Sequence, residues 1–320
     1  MSLTSFLDMR DVNDRVKPLR PKLPRKITAP LQAEPRSNRY SMVGTAFDYL
    51  LRFELQRRAP HAMAEKWIAE HAPDMLWNET GKGAGGLDPF FDLRLEAELT
   101  GGDMKLYPHS DELARRARQI VDNARAAVAA FLKTDAPKHT QLAELAAHAV
   151  RLAKLDDVYR ALRLDPRFEE AGAEDVDDLL AMLEIVPFDS LLHDNILLLN
   201  PTFGETSHLV GGADTDLITG DLLVDFKVTK KAEMNVKNLD QLLGYFLLAR
   251  HLRRVDAKFP EIKRVALYFC RHGHLWVLDV SMWTEHAAFP EIEEWFFKRA
   301  KEVFGASGAA TKSGIASREG

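Results

Sequence analysis

The chain has 320 residues, 46% hydrophobic and 28% charged, with a formal net charge of -5, the composition of a globular protein with apolar material for a substantial core. No apolar run approaches the roughly 18–20 residues of a membrane span, and the opening MSLTSFLDMRDVNDR lacks the apolar stretch and cleavage site of a signal peptide, so a cytoplasmic protein without a membrane partner is expected. The single Cys270 excludes an intramolecular disulfide and any cysteine-built zinc or iron–sulfur site; inside the apolar run VALYFC it is expected to be a buried thiol.

In chain order, residues 1–40 form a basic, proline-rich arm. Between Arg10 and Arg39, the basic residues Arg10, Arg15, Lys17, Arg20, Lys22, Arg25, Lys26, Arg36 and Arg39 face only Asp11, Asp14 and Glu34, and Pro18, Pro21, Pro24, Pro30 and Pro35 predict an extended path. Such an arm either lies along nucleic-acid phosphates or wraps its own domain. A helix is predicted from about Met42 to Arg58, with Phe47, Leu50, Leu51 and Leu55 at helical spacing and Pro60 beyond its end. Residues 61–75 also read as helical, NETGKGAGGLDP as a loop, and the stretch from Asp111 to about Ile185 as successive amphipathic helices. The texture then changes. ILLLNP, HLVGGADTDLI, LLVDFKVT, RVALYFCR and HLWVLDVS read as strands, with a long helix from about Met234 to Arg254 between the third and fourth. A last helix, PEIEEWFFKRAKEVFG, precedes a tail from 305 to 320 that is too small and polar to pack. The order predicts a mixed α/β or α+β domain from 41–58 and 195–304, interrupted by a mainly helical insertion over 59–194.

The chemistry concentrates in GGADTDLITGDLLVDFKVTK, residues 211–230. Thr219, Gly220 and Asp221 predict a hairpin turn. A turn centred near Gly220 sets Asp214 opposite, or nearly opposite, Asp225, with Cβ atoms roughly 4.5–5.5 Å apart. Asp216 lies two residues on along the same face, and register alone does not choose between Asp214 and Asp216. Period-two alternation sets Asp225 and Lys227 on one face and Val224, Phe226 and Val228 on the other. Two carboxylates this close repel unless a cation lies between them, and an all-oxygen donor set suits Mg²⁺ or Mn²⁺. Lys227 beside such a site would hold a water or stabilise charge building on a phosphate. The competing reading is a solvated strand face with a weak ion pair; against it, the charges interrupt an otherwise core-grade strand.

These residues resemble the PD-(D/E)XK nuclease superfamily and, within it, the RecB-like nuclease domains. The matching motifs are Gly211-Gly212-Ala213-Asp214, then Asp225-Phe226-Lys227, then Gln241-Leu242-Leu243-Gly244-Tyr245. The family's first helix motif corresponds to Gly44-Thr45-Ala46-Phe47-Asp48, with Asp48 where many relatives have a histidine ligand; Glu54 is a second candidate on that helix. The resemblance implies a central mixed sheet flanked by helices and Mg²⁺- or Mn²⁺-dependent hydrolysis of DNA. It also implies metal ligation by Asp48, Asp214, Asp225 and the carbonyl of Phe226, with Lys227, Gln241 and Tyr245 serving catalysis. It spans Met42–Arg58 and Asn195–Ser281, leaving the helical stretch without a counterpart. Such nucleases act in repair, recombination or phage defence, and with no G-x-x-x-x-G-K-[ST] loop here a helicase or specificity partner is an expectation. Gly81–Gly86 is a near miss with the wrong spacing, and Arg271-His272-Gly273-His274 reads as a hairpin turn with incidental imidazoles. A rival reading is a non-catalytic nucleic-acid-binding or scaffold protein on the same fold.

Overall fold

A computed structural model describes residues 2–22, 27–77, 93–95, 106–107, 111–192 and 194–316. The glycine-rich loop expected after Trp77, including Gly81–Gly86, lies outside the described residues, as do Pro24, Arg25 and Lys26 of the arm and the last four residues of the tail.

The arm departs from expectation. Helices α1 (Leu3–Leu7) and α2 (Arg10–Val16) precede a 3₁₀ turn at Lys17–Leu19. Its prolines begin only at Pro18, so nothing upstream blocks a helix, and Leu3, Phe6, Leu7, Val12, Val16 and Leu19 form a buried stripe. Arg20 makes a two-pronged pair with Asp240 at 2.8 and 2.7 Å, Arg15 pairs with Glu291, and Arg39 pairs with Asp165 and Asp175. Of the two readings of the arm, the described residues therefore follow the one that wraps its own domain.

Helix α3 (Tyr40–Arg58) matches the predicted helix, with Arg57 and Arg58 in its last turn, where cations complement the helix dipole. Residues 61–67 are not helical as expected: Met63–Ala64 forms a short strand, β1, and helix resumes only at Ile68–His71 and Ala72–Leu76. The insertion supplies α4 (Asp111–Phe131), α5 (His139–Ala161) and α6 (Ala173–Leu183). It also carries a small sheet of Leu93–Leu95, Leu106–Tyr107 and Arg163–Leu164. Strands β2 (Leu197–Leu199), β3 (Leu217–Thr219) and β4 (Leu222–Lys227) follow, then helix α7 (Val236–Val255), strands β5 (Arg264–Phe269) and β6 (His274–Asp279), and helix α8 (Phe289–Ala316). Helix α8 runs past the expected boundary at 305 to Ala316, a continuation that contains no proline to stop it. Among the described residues no helix is long and apolar enough to cross a membrane.

The main sheet is mixed and six-stranded, ordered β1 to β6 in sequence. Strands β4 and β5 pair in parallel and are joined by α7, a crossover that a parallel pair requires; β2–β3, β3–β4 and β5–β6 are antiparallel. Both faces are covered, which explains the near-continuous apolar runs of the central strands. Leu222, Val224, Ala266 and Tyr268 face a core built by α3 and the inserted helices. Leu223, Val265, Leu267 and Phe269 face a second core built by α1, α2, α7 and α8. Gly244 of α7 permits the seating of α1, since a Cβ there would stand 2.9 Å from Leu3 Cδ1. The inserted helices thus share one core with α3 and the sheet.

Candidate active site

The β3–β4 hairpin turns through Gly220 and Asp221, with Gly220 at φ 57. Leu217 pairs with Val224, Ile218 with Leu223 and Thr219 with Leu222. Continued by one residue, this register sets Asp216, not Asp214, opposite Asp225. The expected pairing is off by two residues, a slip that preserves side-chain faces. It arises because HLVGGADTDLI is not one strand: Glu205–His208 is a helical turn, Gly211 and Gly212 take φ of 74 and 111, and Asp214 only bridges to Thr202.

Asp216 is anchored by the amide N–H of Phe226, which donates to its Oδ2. Burial drives the Asp216 carboxyl well above the usual carboxylate range, the charges of Asp225 and Asp48 add to this, and Lys227 opposes it. Asp225 is also raised by burial, opposed by Lys227 and reinforced by Asp214 and Asp48. Burial likewise raises Asp48 on α3, with Arg52 opposing and Asp214 adding. Four carboxylates from α3, the 214–216 segment and β4 thus lie near one another at the rim of the sheet, Asp225 buried and the other three partly exposed.

Lys227 leaves β4 on the Asp225 face, as alternation predicts, with Nζ 2.6 Å from Asp225 Oδ2 and donating to Gln241 Oε1 at 2.9 Å. Gln241 Nε2 in turn donates to the Tyr245 hydroxyl at 2.8 Å. Four-residue spacing on α7 stacks Gln241 and Tyr245 on one helix face, so β4 and α7 together hold Asp225, Lys227, Gln241 and Tyr245 in a continuous polar chain. The Tyr245 phenol is driven up by burial and by the charges of Asp225, Asp216 and Asp214, which keeps it a neutral hydrogen-bond donor; its ring stacks on Phe203 at 5.8 Å.

The remaining candidates divide. Asp48 joins the cluster electrostatically and accepts from Arg52. Asp214 accepts from Asn200 Nδ2 at 3.0 Å and from Arg160 Nη2 at 3.3 Å. Glu54 is turned away, its oxygens bound by Arg57 and Arg58 at 2.7–2.9 Å. At Phe226 the group engaged is the amide N–H on Asp216. Cys270 is a buried thiol, driven up by burial and by Asp216. His272 and Gly273 turn the chain between β5 and β6, Gly273 at φ 55.

Sequence reasoning missed Asn200, Arg160, Asp156 and Tyr49. Asp156 and Arg160 are four apart on α5, a visible ion-pair spacing, but nothing local says that α5 ends beside Asp214. Asp156 is fixed by the Tyr49 hydroxyl at 2.5 Å, and that oxygen also accepts from the Ala69 amide at 3.2 Å.

The donor set is all oxygen; Asp48 Oδ1 is buried without a hydrogen-bond partner, and Asp225 Oδ2 has the Lys227 ammonium at 2.6 Å. In charge and chemistry this fits a hard divalent cation. Among the described residues no three His, Cys, Asp or Glu side chains converge as a ready-made metal cage; the carboxylates are turned instead to Arg52, Arg160, Asn200, Lys227 and the Phe226 amide. Fold and site define a mixed α/β protein with an acidic cluster and one lysine at the rim of a helix-covered sheet. The chain matches no family model, no curated protein and no solved structure.

Proposed function

We propose that the chain is a Mg²⁺- or Mn²⁺-dependent nuclease of the PD-(D/E)XK, RecB-like type that hydrolyses phosphodiester bonds in DNA. The observation that carries this reading is the continuous chain Asp225–Lys227–Gln241–Tyr245, with Asp216 opposite Asp225. A surface ion pair has no need of a lysine tied to a buried carboxylate on one side and held by a glutamine–tyrosine chain on the other.

Asp216, Asp225 and Asp48 would hold the cation, with Asp214 at its edge. When bound, the cation supplies neutralisation of the scissile phosphate and acidification of water. Gln241 fixes the Lys227 ammonium, which orients the attacking water and stabilises the charge that builds on the phosphate oxygens. Tyr245, held protonated, accepts from Gln241 and keeps its O–H for the substrate. No residue in this arrangement is positioned as an activated nucleophile of its own, so attack by water without a covalent enzyme intermediate is the matching reaction. The motor or target specificity would come from a helicase or specificity partner, in an intracellular setting.

One observation favours a second reading, a nucleic-acid-binding or scaffold protein on the same fold: the carboxylates are satisfied by arginine, lysine and amide partners and not converged. Labelled single- and double-stranded DNA incubated with Mg²⁺, Mn²⁺ or EDTA separates the two. Metal-dependent cleavage that drops at least about a hundredfold in Lys227→Ala supports the nuclease, and DNA binding without cleavage under either metal supports the scaffold.

A further inference from the structure

Arg160 lies at the end of α5, in the helical stretch that the nuclease motifs do not include. Its Nε donates to Asp156 Oδ2 at 3.3 Å, and its Nη2 donates to Asp214 Oδ2 at 3.3 Å. The two contacts differ in kind. The Asp156 side chain is 4% exposed and is itself pinned by Tyr49 at 2.5 Å, whereas Asp214 is 33% and Arg160 45% exposed. At equal distance, one end of the guanidinium therefore has a fixed, buried anchor, and the other makes a solvent-screened contact that costs little to exchange. The exchangeable contact is made to a carboxylate that adds its charge to Asp48 and Asp225.

Resting on the nuclease reading, we infer that Arg160 is a counter-ion of the acidic cluster and, once a divalent cation binds, a phosphate-binding residue. Without metal, the guanidinium neutralises Asp214 and limits repulsion among the carboxylates. When a divalent cation neutralises the cluster, the Asp214 contact loses its value. The guanidinium, still held by Asp156, is then free to bind a non-bridging oxygen of the DNA phosphate beside the site; its planar fork of donors suits that geometry. The insertion thereby contributes a substrate-positioning residue to a site whose acids come from elsewhere in the chain.

The test has two arms, each applied to wild type, Arg160→Gln and Arg160→Lys, with far-UV circular dichroism confirming the fold. In the first, Mn²⁺ binding is titrated by electron paramagnetic resonance without DNA. Removing the competing charge in Arg160→Gln is expected to tighten Mn²⁺ binding roughly three- to tenfold, while Arg160→Lys stays near wild type. In the second, single-turnover cleavage of labelled DNA in Mg²⁺ is expected to fall roughly tenfold to a thousandfold in Arg160→Gln, with partial retention in Arg160→Lys. Unchanged or weaker Mn²⁺ binding in Arg160→Gln overturns the counter-ion role and reduces Arg160 to a tie between α5 and the core. Cleavage within about threefold of wild type overturns the phosphate role. If wild type cuts no DNA with any metal, the nuclease reading and the phosphate role fall together, and the Mn²⁺ arm decides the counter-ion role alone.

Discussion

Asp214 and Asp216 are two residues apart, yet their surroundings assign them different work. Asp216 sits opposite Asp225 and takes a hydrogen bond from the strand backbone, whereas Asp214 lies outside the strand pairing and is shared between Asn200 and Arg160. A group driven up by burial and like charge is a strained carboxylate that a cation relieves. Asp216→Asn is therefore expected to weaken Mn²⁺ binding more than Asp214→Asn while raising the melting temperature of the metal-free protein; titration and melting of both variants check this. Asp156 provides a pH prediction. Burial pushes its carboxyl up to about 6 from 3.8, against the pull of Tyr49 and Arg160. An acid raised on folding stabilises the folded state below its unfolded value and loses that contribution as pH rises through its folded value. Relative to Asp156→Asn, wild type should lose on the order of 2–3 kcal/mol between pH 4 and pH 7, as read from urea unfolding of both proteins across that range.

At the level of elements, the turn between β5 and β6 is locked to the insertion by Arg271. Its guanidinium meets both oxygens of Asp178 on α6 at 2.7 and 2.9 Å, and both side chains are 0% exposed. The backbone carbonyl of Arg271 also receives the amides of Gln32 and Ala33, so one residue gathers the sheet, the inserted helices and the N-terminal segment. Removing one partner leaves a buried charge unpaired, and Asp178→Ala is expected to cost about 3–5 kcal/mol. Replacing both by apolar residues of similar volume should recover most of it, which chemical denaturation of the single and double variants measures. The RHGH motif is thus significant for its arginine, and the period-two and helical patterns that located β5, β6 and α6 carry no sign of which side chains meet across them.

For the whole molecule, the acidic rim is a stability cost that a ligand offsets. Carboxylates from α3, the 214–216 segment and β4 are brought together against their repulsion, and a cation binding only the folded state stabilises it by mass action, by about 2.7 kcal/mol at a hundred times its dissociation constant. Thermal melting should therefore rise with Mg²⁺ or Mn²⁺ in wild type and stay flat in an Asp216→Asn, Asp225→Asn double variant; equal shifts in both would place the ions elsewhere.

Much of this was legible in the chain itself, because local patterns encode local facts. The helical spacing of α3 and α7, the apolar runs of the central strands, the shared face of Asp225 and Lys227, and the four-residue spacing of Gln241 and Tyr245 are all short-range periodicities. The rest is non-local. The hairpin register depended on where the glycines at 211 and 212 stop a strand, a decision made by packing around Phe203 and Ser207 rather than by the turn. The arm folded as helices because a second core was there to bury Leu3, Phe6 and Val12. Arg160 reaches Asp214 across 54 residues of chain, and no spacing rule describes a contact whose geometry exists only once α5 has docked on α3.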